Sequence, residues 1–305
     1  MTLRHMKIFI CVCDENNMTK AAARLHMTQP SVSLAIHEME IYYKTVLFER
    51  LGRRLFITEA GKQLLIYVRH IVNLNKQIET TMQCYGVQCS LRVGASMTIG
   101  EAVLINLLEE MRKKNKNAEI LSEIHNTKEL ENMLLKDELD IAMVEGRIRS
   151  EYLIVQPFMA DELVFITAAH NSILEKKEIS LEDAAELNFF VRESGSGTRE
   201  LFEQMMQSHN KKIKIAGVYN NAEAIKKAVI ADLGVSVISR RIIGPELEQG
   251  KLKVFSVSDV ILKRSFNIVY HKNKYISPLL KSWIKICHDF EGAVLSSLNA
   301  KSAEK

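Results

Sequence analysis

The chain has 305 residues, 47% hydrophobic and 26% charged, enough to bury a sizeable core in two or more domains. No apolar run approaches the roughly 20 residues of a membrane-spanning helix, and the opening "MTLRHMKIFICVCDEN" lacks the cleavage pattern of a secretory leader, so a cytoplasmic protein is expected. The net charge of +4 is uneven: residues 1–88 hold 11 Lys and Arg against 7 Asp and Glu, while the remainder holds 30 of each, which directs a polyanionic partner to the N-terminal third.

Residues 1–58 read as short helices ending in a basic turn, "ERLGRRLFIT". Thr19 to Leu25 is alanine-rich and helical, with Asn17 as its cap. After a turn at His26 to Thr28 a second helix begins, with Thr28 as N-cap and Pro30 in the first turn, where a missing N–H costs nothing. Val32, Ile36, Met39 and Tyr43 share one face and are expected to pack inward. The other face carries Gln29, Ser31, Ser33, Leu34 and His37. Small polar side chains at the start of the second helix fit a helix-turn-helix, whose second helix reads base edges in the major groove. An αα-hairpin in a bundle would show the same pattern, with those residues as a solvated face. The following Arg50, Arg53 and Arg54 favour DNA, because a basic hairpin beside the helix pair suits phosphate or minor-groove contact.

Residues 59–86 form one long amphipathic helix. Leu64, Val68, Ile71, Ile78 and Met82 step by four, three, seven and four, a heptad seam with Asn75 at the skipped position. The seam suits a partner helix; packing on its own domain, with Asn75 facing water, is the alternative.

From Leu91 onward, strand-like runs ("LRVGAS", "LDIAMVE", "LVFITA", "GVSVIS", "FNIVYH") alternate with helical segments, which reads as α/β with a mainly parallel sheet. Four strand-to-helix junctions carry hydroxyls or amides: Ser96, Met97 and Thr98; Asn126 and Thr127; Ser194, Ser196 and Thr198; Asn220 and Asn221. Free backbone N–H groups at helix starts favour an anion, and strand ends in α/β sheets are where ligands sit, although each junction alone is explained by capping. "GSGTRE" lacks the third glycine of a dinucleotide fingerprint and the lysine of a P-loop. Arg192 and Arg199 are candidate countercharges, or pair with Glu193 and Glu203.

The order Ala21-Ala22, Leu25, Gln29-Pro30, Ser33, Ile36, Glu40, Leu47-Phe48, Arg50, Thr58, Gly61 resembles the N-terminal domain of LysR-type transcriptional regulators over residues 3 to about 66. That resemblance implies a winged helix-turn-helix with Gln29, Ser31, Ser33 and Arg53 foremost among the DNA contacts, which also take in Thr28, Pro30, Leu34, His37, Arg50 and Arg54. The chain departs from the family pattern at Asn17, Met39 and Lys44, where Ser, Leu and Gly are usual. The resemblance also implies that the long helix pairs in a homodimer or homotetramer on pseudo-palindromic double-stranded DNA, with RNA polymerase a further partner of an activator.

Residues 90 to about 292 resemble the LysR effector domain, two α/β subdomains like those of type 2 periplasmic binding proteins. The implied domains are 1–58, 59–88 and 89–305, with subdomain I at about 90–163 and 267–292 and subdomain II at about 164–266. The two crossings are expected near Leu163 to Ala168 and Phe266 to His271. No cofactor is implied; a small-molecule or oxyanion inducer is, in a cleft lined by Ser96, Met97, Thr98, Asn126, Thr127, Glu145, Ser194, Ser196, Thr198 and Asn221. "VGASMTIGE", "ELDIAMVEG", "RESGSGTRELF" and "NNAEAIKKAV" look most like the branch associated with sulfur or selenium metabolism.

Rival readings are an enzyme, a free cytosolic binding protein, and a redox regulator. No nucleophile elbow, metal-ligand cluster or spaced carboxylate pair marks an enzyme; His125 and His170 are isolated. A free binding protein leaves the basic N-terminal third unexplained. Five cysteines, an odd number, lack metal-ligand spacing; Cys84 and Cys89 are the pair a redox switch would use, with nothing nearby to lower a thiol pKa.

Overall fold

The computed structural model describes residues 1–51, 54–83 and 90–303, apart from the side chains of 50, 51, 54, 76, 77, 80–83 and 291–303. It contains two compact units, Met1–Val87 with Leu135–Asp137, and Gln88–Leu134 with Glu138–Lys305.

The first unit runs α1 (Leu3–Glu15), α2 (Met18–Arg24), α3 (Gln29–Tyr43), a hairpin of β1 (Phe48–Leu51) and β2 (Arg54–Ile57), and α4 (Glu59–Gln83). Each helix start follows from a local donor–acceptor match. Asn17 accepts from the N–H groups of Thr19 (2.8 Å) and Lys20 (3.0 Å), and Thr28 accepts from that of Ser31 at 3.4 Å. Pro30 lies in the first turn of α3, as its missing donor allows. Lys44 closes α3 in the left-handed region, φ 52°, a conformation that explains why glycine is usual there. The Glu40 carboxylate then accepts from the N–H groups of Leu47 (2.8 Å) and Phe48 (3.3 Å), tying α3 to the hairpin.

Phe9, Val12, Ala21, Val32, Ile36, Met39 and Leu47 form the core of this unit. Two expectations fail here. Tyr43 does not pack inward: it stands at the last residue of α3, 38% exposed, with its hydroxyl 2.8 Å from the Met1 sulfur. Val68 is fully buried in the same core, with Leu64 packed against it, because α4 lies along α1. Those two side chains hold α4 to its own domain and are not free to form a seam.

The second unit is built on a nine-stranded sheet, and its parallel ladders lie towards the two ends. Its elements are β3 (Ser90–Ala95), α5 (Met97–Ile99) continuing through a π-helical turn at Gly100–Leu104 into α6 (Ile105–Lys114), β4 (Glu119–Ile124), α7 (Thr127–Leu135), β5 (Ile141–Val144) and β6 (Leu153–Ala168). Then come α8 (Leu181–Ala185), β7 (Asn188–Arg192), α9 (Gly197–Ser208), β8 (Lys214–Tyr219), α10 (Ala222–Ile230), β9 (Val235–Ser239), α11 (Gly244–Glu248), β10 (Leu252–Phe255), β11 (Leu262–His271) and α12 (Pro278–Ala303).

The strand order is β4-β3-β5-β11-β6-β9-β7-β8, with β10 on β6. β3 pairs in parallel with β4 and β5, and β7 with β8 and β9, while β6 and β11 run antiparallel between the two groups. Separate apolar clusters fill the two halves, one around Trp283, Phe266 and Leu107 in the first, and two in the second, around Phe165, Phe189 and Phe202 and around Ile166, Phe190 and Val229. The sheet is therefore one ladder but three cores. The crossing strands are longer than expected: β6 begins at Leu153 and β11 at Leu262, which moves the crossing towards Asp161 and Arg264. A register shift interrupts the β6–β11 ladder between Phe266 and Asn267.

Candidate functional site

In the first unit, helices α2 and α3 are joined through His26, which takes φ 52° and so turns the chain within a few residues. Val32, Ala35, Ile36 and Met39 are buried, leaving Pro30, Ser31, Leu34 and His37 exposed, with Gln29 and Ser33 half-buried. The exposed side begins at the N-terminal end of α3, as a groove-reading helix requires. Thr28 and Ser31 share a 2.8 Å hydroxyl hydrogen bond, so both belong to the cap as well as to the surface. Arg50 pairs with Leu55 and Leu51 with Arg54 across the hairpin. Arg53 lies outside the described residues, as do the side chains of Arg50 and Arg54.

On α4, Tyr67, Ile71, Leu74 and Ile78 are 44%, 41%, 40% and 55% exposed, at steps of four, three and four. Ile71 and Ile78 keep their place on an apolar stripe; Tyr67 and Leu74 take those assigned by spacing to Leu64, Val68 and Asn75. Asn75 donates to Glu79 at 2.8 Å. The Met82 side chain lies outside the described residues. The heptad spacing fits two rotations of the helix, and only packing on α1 separates them.

In the second unit, the loops after β3, β5 and β7 meet beside the crossing strands. Ser96 and Ser196 occupy N-cap positions, yet neither side chain makes a cap hydrogen bond. Both are buried, and Ser96 Oγ, Ser196 Oγ, Thr127 Oγ1 and Glu145 Oε2 have no hydrogen-bond partner. Such oxygens are costly unless something pairs with them.

At the centre stands a residue that spacing did not single out. Arg264, on β11, donates to Asp161 Oδ2 on β6 at 2.7 Å, to Thr198 Oγ1 at the start of α9 at 2.9 Å, and to Thr98 Oγ1 on α5 at 3.4 Å. One guanidinium thus joins the helix starts of both halves. Asp161, fully buried, also accepts from Ser239 at 2.6 Å. Thr98 donates to Glu145 Oε1 at 3.2 Å. Burial pushes the Glu145 carboxyl above the usual carboxylate range, opposed by the positive charges of Arg264 and Arg192. An arginine at the edge of the strand-like run "FNIVYH" was the available signal for Arg264; its partner lies 103 residues away.

The remaining expected residues divide. Thr127 and Gly197 both crowd Gly146, and Asn126 Oδ1 and Lys128 crowd Gly195, so the second and third junctions join beside Glu145. Asn126 caps α7 and Met97 is half-buried on α5. Ser194 is exposed, and Asn221 accepts from the Ala224 N–H at 2.7 Å as the cap of α10; neither is seen to join the cluster. Arg192 is buried but bound to Glu193 at 2.9 Å, and Arg199 pairs with Glu203 at 2.7 Å. His125 sits between Glu123 and Glu129. Cys84 and Cys89 lie outside the described residues; burial pushes the Cys13 thiol up to about 12 and that of Cys287 up as well, far from a reactive thiolate. Among the described residues no group of His, Cys, Asp and Glu could hold a metal ion, and no helix is long and apolar enough to cross a membrane.

A basic helix-turn-helix unit and a two-part α/β unit with unpaired polar groups at its internal junctions define a DNA-binding regulator with a ligand-sensing domain. Family comparison agrees: residues 3–62 match the bacterial regulatory helix-turn-helix protein, lysR family, and residues 86–291 match the LysR substrate binding domain. The chain belongs to the LysR-type transcriptional regulators. It is similar to the HTH-type transcriptional regulator YeiE of Escherichia coli (strain K12), 32% identical over 94% of this chain and 97% of that one. It is also similar to the HTH-type transcriptional regulator CysL of Bacillus subtilis (strain 168), 30% identical over 91% of each. Among solved structures, a full-length OxyR from Pseudomonas aeruginosa has the same fold, with a TM-score of 0.64 at 20% identity over 95% of this chain and 94% of that one.

Proposed function

We propose that this regulator works in the cytoplasm as a homodimer or homotetramer whose hold on a pseudo-palindromic promoter is set by a small anion bound between the two halves of its α/β unit. The observation that carries the reading is the set of four buried oxygens, on Ser96, Thr127, Glu145 and Ser196, that lack partners at the junctions around the two helix starts joined by Arg264. Three are hydroxyls that can donate to an oxyanion, beside helix N-termini that favour negative charge. Similarity to the sulfur and selenium branch makes sulfite and compact carboxylates the first ligands to try, and a role in sulfur metabolism follows from it.

On the DNA side, Gln29, Ser31 and Ser33 are assigned to base edges, Arg53 to the backbone or minor groove, and the α4 stripe to the partner subunit. The α/β unit is read as a sensor, not a catalyst: His125 and Arg192 are committed to glutamates and Arg264 to Asp161. An activator would in addition touch RNA polymerase.

Titration of a duplex from the neighbouring promoter at several salt concentrations tests the DNA half. Binding should weaken steeply with salt and with Gln29→Ala plus Ser33→Ala or with Arg53→Ala; indifference to all of these would refute the contact assignment. Thermal shifts with small anions test the cleft, and no shift with any carboxylate or sulfur oxyanion would remove the proposed inducer class.

A further inference from the structure

The charge balance of the cleft is tighter than an anion site would be expected to be. Each guanidinium that faces Glu145 is already engaged: Arg264, from β11, by Asp161 and two threonines, and Arg192, from β7, by Glu193 at 2.9 and 3.0 Å. Glu145 is only 7% exposed, with Oε1 taken by Thr98 at 3.2 Å and Oε2 unpartnered. An unpartnered carboxylate oxygen is therefore buried at the same strand-to-helix junctions as three unpaired hydroxyls, and neither of the two guanidiniums that act on Glu145 is free to serve a fully ionised oxyanion set beside it. Two like charges at close range in a water-poor site repel far more strongly than in bulk solvent.

Resting on the proposed anion site, we propose that Glu145 is its specificity-determining residue, and that the cleft selects a small oxyacid anion that holds one proton in common with Glu145. The proton has two equivalent bookkeeping forms. Ionised Glu145 accepts a hydrogen bond from an acidic O–H of the ligand, or protonated Glu145 donates one to the ligand's last ionised oxygen. Either way, one proton lies between Oε2 and the ligand, and the hydroxyls of Ser96, Thr127 and Ser196 serve the other oxygens as donors. An anion of the same shape without a proton at neutral pH is excluded unless the protein supplies the proton. Burial, which raises the Glu145 carboxyl, lowers the cost of that second form. The arrangement also predicts the direction of pH dependence: with a shared proton, affinity falls by about tenfold per pH unit once both ligand and Glu145 are ionised in the free state.

Calorimetric titration of the full chain with inorganic sulfite, phosphate and sulfate, on both sides of neutral pH, tests this. Sulfite and phosphate take up a proton near neutrality, and sulfate does not. The native protein should bind sulfite or phosphate at least about tenfold more tightly than sulfate, with affinity falling towards alkaline pH. Glu145→Gln, which replaces the oxygen by a permanent N–H donor, should admit sulfate and flatten the pH slope. Native protein that binds sulfate as well as the protonatable anions, or a preference and slope that survive in Glu145→Gln, overturns the proton-sharing role while leaving the anion site standing. Silence of both proteins to all three anions overturns the oxyanion site and this role together.

Discussion

Gly146 and Gly197 approach each other so closely that neither leaves room for a side chain. A Cβ on Gly197 would lie 2.4 Å from the Gly146 Cα, and one on Gly146 would lie 2.9 Å from the Gly197 Cα. A Cβ on Gly197 would strike backbone alone, while one on Gly146 would also meet the Thr127 hydroxyl at 2.8 Å, so the loops after β5 and β7 must part if Gly197 changes. Gly197→Ala should therefore hold the two halves open at a cost of about 1–3 kcal/mol. The measurement is the thermal shift produced by an activating anion. A full shift in the variant would show that this contact does not belong to the bound state.

Arg264 and Asp161 form a buried ion pair, 5% and 0% exposed at the side chain, with hydrogen bonds to spare on both sides. Arg264→Met leaves Asp161 charged without its main partner and should cost about 3–5 kcal/mol. Arg264→Met with Asp161→Asn should recover a large part of the loss. Denaturant unfolding of the three variants decides it; equal destabilisation in the double variant would deny the coupling.

Glu145 has a pH signature of its own. Burial raises its carboxyl in the fold, so the native state holds the proton more tightly than the unfolded chain does. Its contribution to stability is greatest below the ordinary glutamate value, about 4.3, declines as pH rises towards the raised folded value, and stays reduced above it. Glu145→Gln removes the ionisation. The variant should gain on the native protein in melting temperature as pH rises from acid to neutral, and a difference that stays constant with pH would refute the raised carboxyl.

Lys44 carries a left-handed backbone that a side chain disfavours, φ 52° and ψ 39°. Lys44→Gly should stabilise the DNA-binding unit by about 1 kcal/mol, a gain visible as a higher unfolding midpoint of that unit. Loss of stability would mean that the lysine side chain contributes more than its backbone costs.

The two faces of α4 predict opposite phenotypes. Val68→Ala empties core volume and should cost the unit about 1–3 kcal/mol without changing the subunit count. Ile71→Glu with Ile78→Glu charges the exposed stripe, and should split the oligomer while leaving the melting of each domain close to native. Light scattering and calorimetry separate these outcomes; dimers that survive the double charge would place the interface elsewhere.

What could be read before folding follows distance along the chain. The helix-turn-helix was legible because its determinants are neighbours: Asn17, Thr28 and Pro30 each act within three residues of themselves. Ser96, Thr127, Ser196 and Thr198 were legible as hydroxyls at helix starts, though capping explained them as well. Asn221 caps α10 and also donates to Asn220. The partition of α4 was not legible, since a heptad marks apolar positions without saying which neighbour covers them, and Val68 went to the wrong one. Arg264 and Asp161 were invisible to any local pattern. They meet across antiparallel strands, with Thr98 166 residues and Thr198 66 residues from Arg264.

The slipped register between Phe266 and Asn267 falls two residues after Arg264, on the strand that carries the guanidinium from one half of the domain to the other. A slipped register bends its strand and raises the local twist, so the guanidinium that ties the two helix starts together stands beside the point at which the ladder between the halves changes direction.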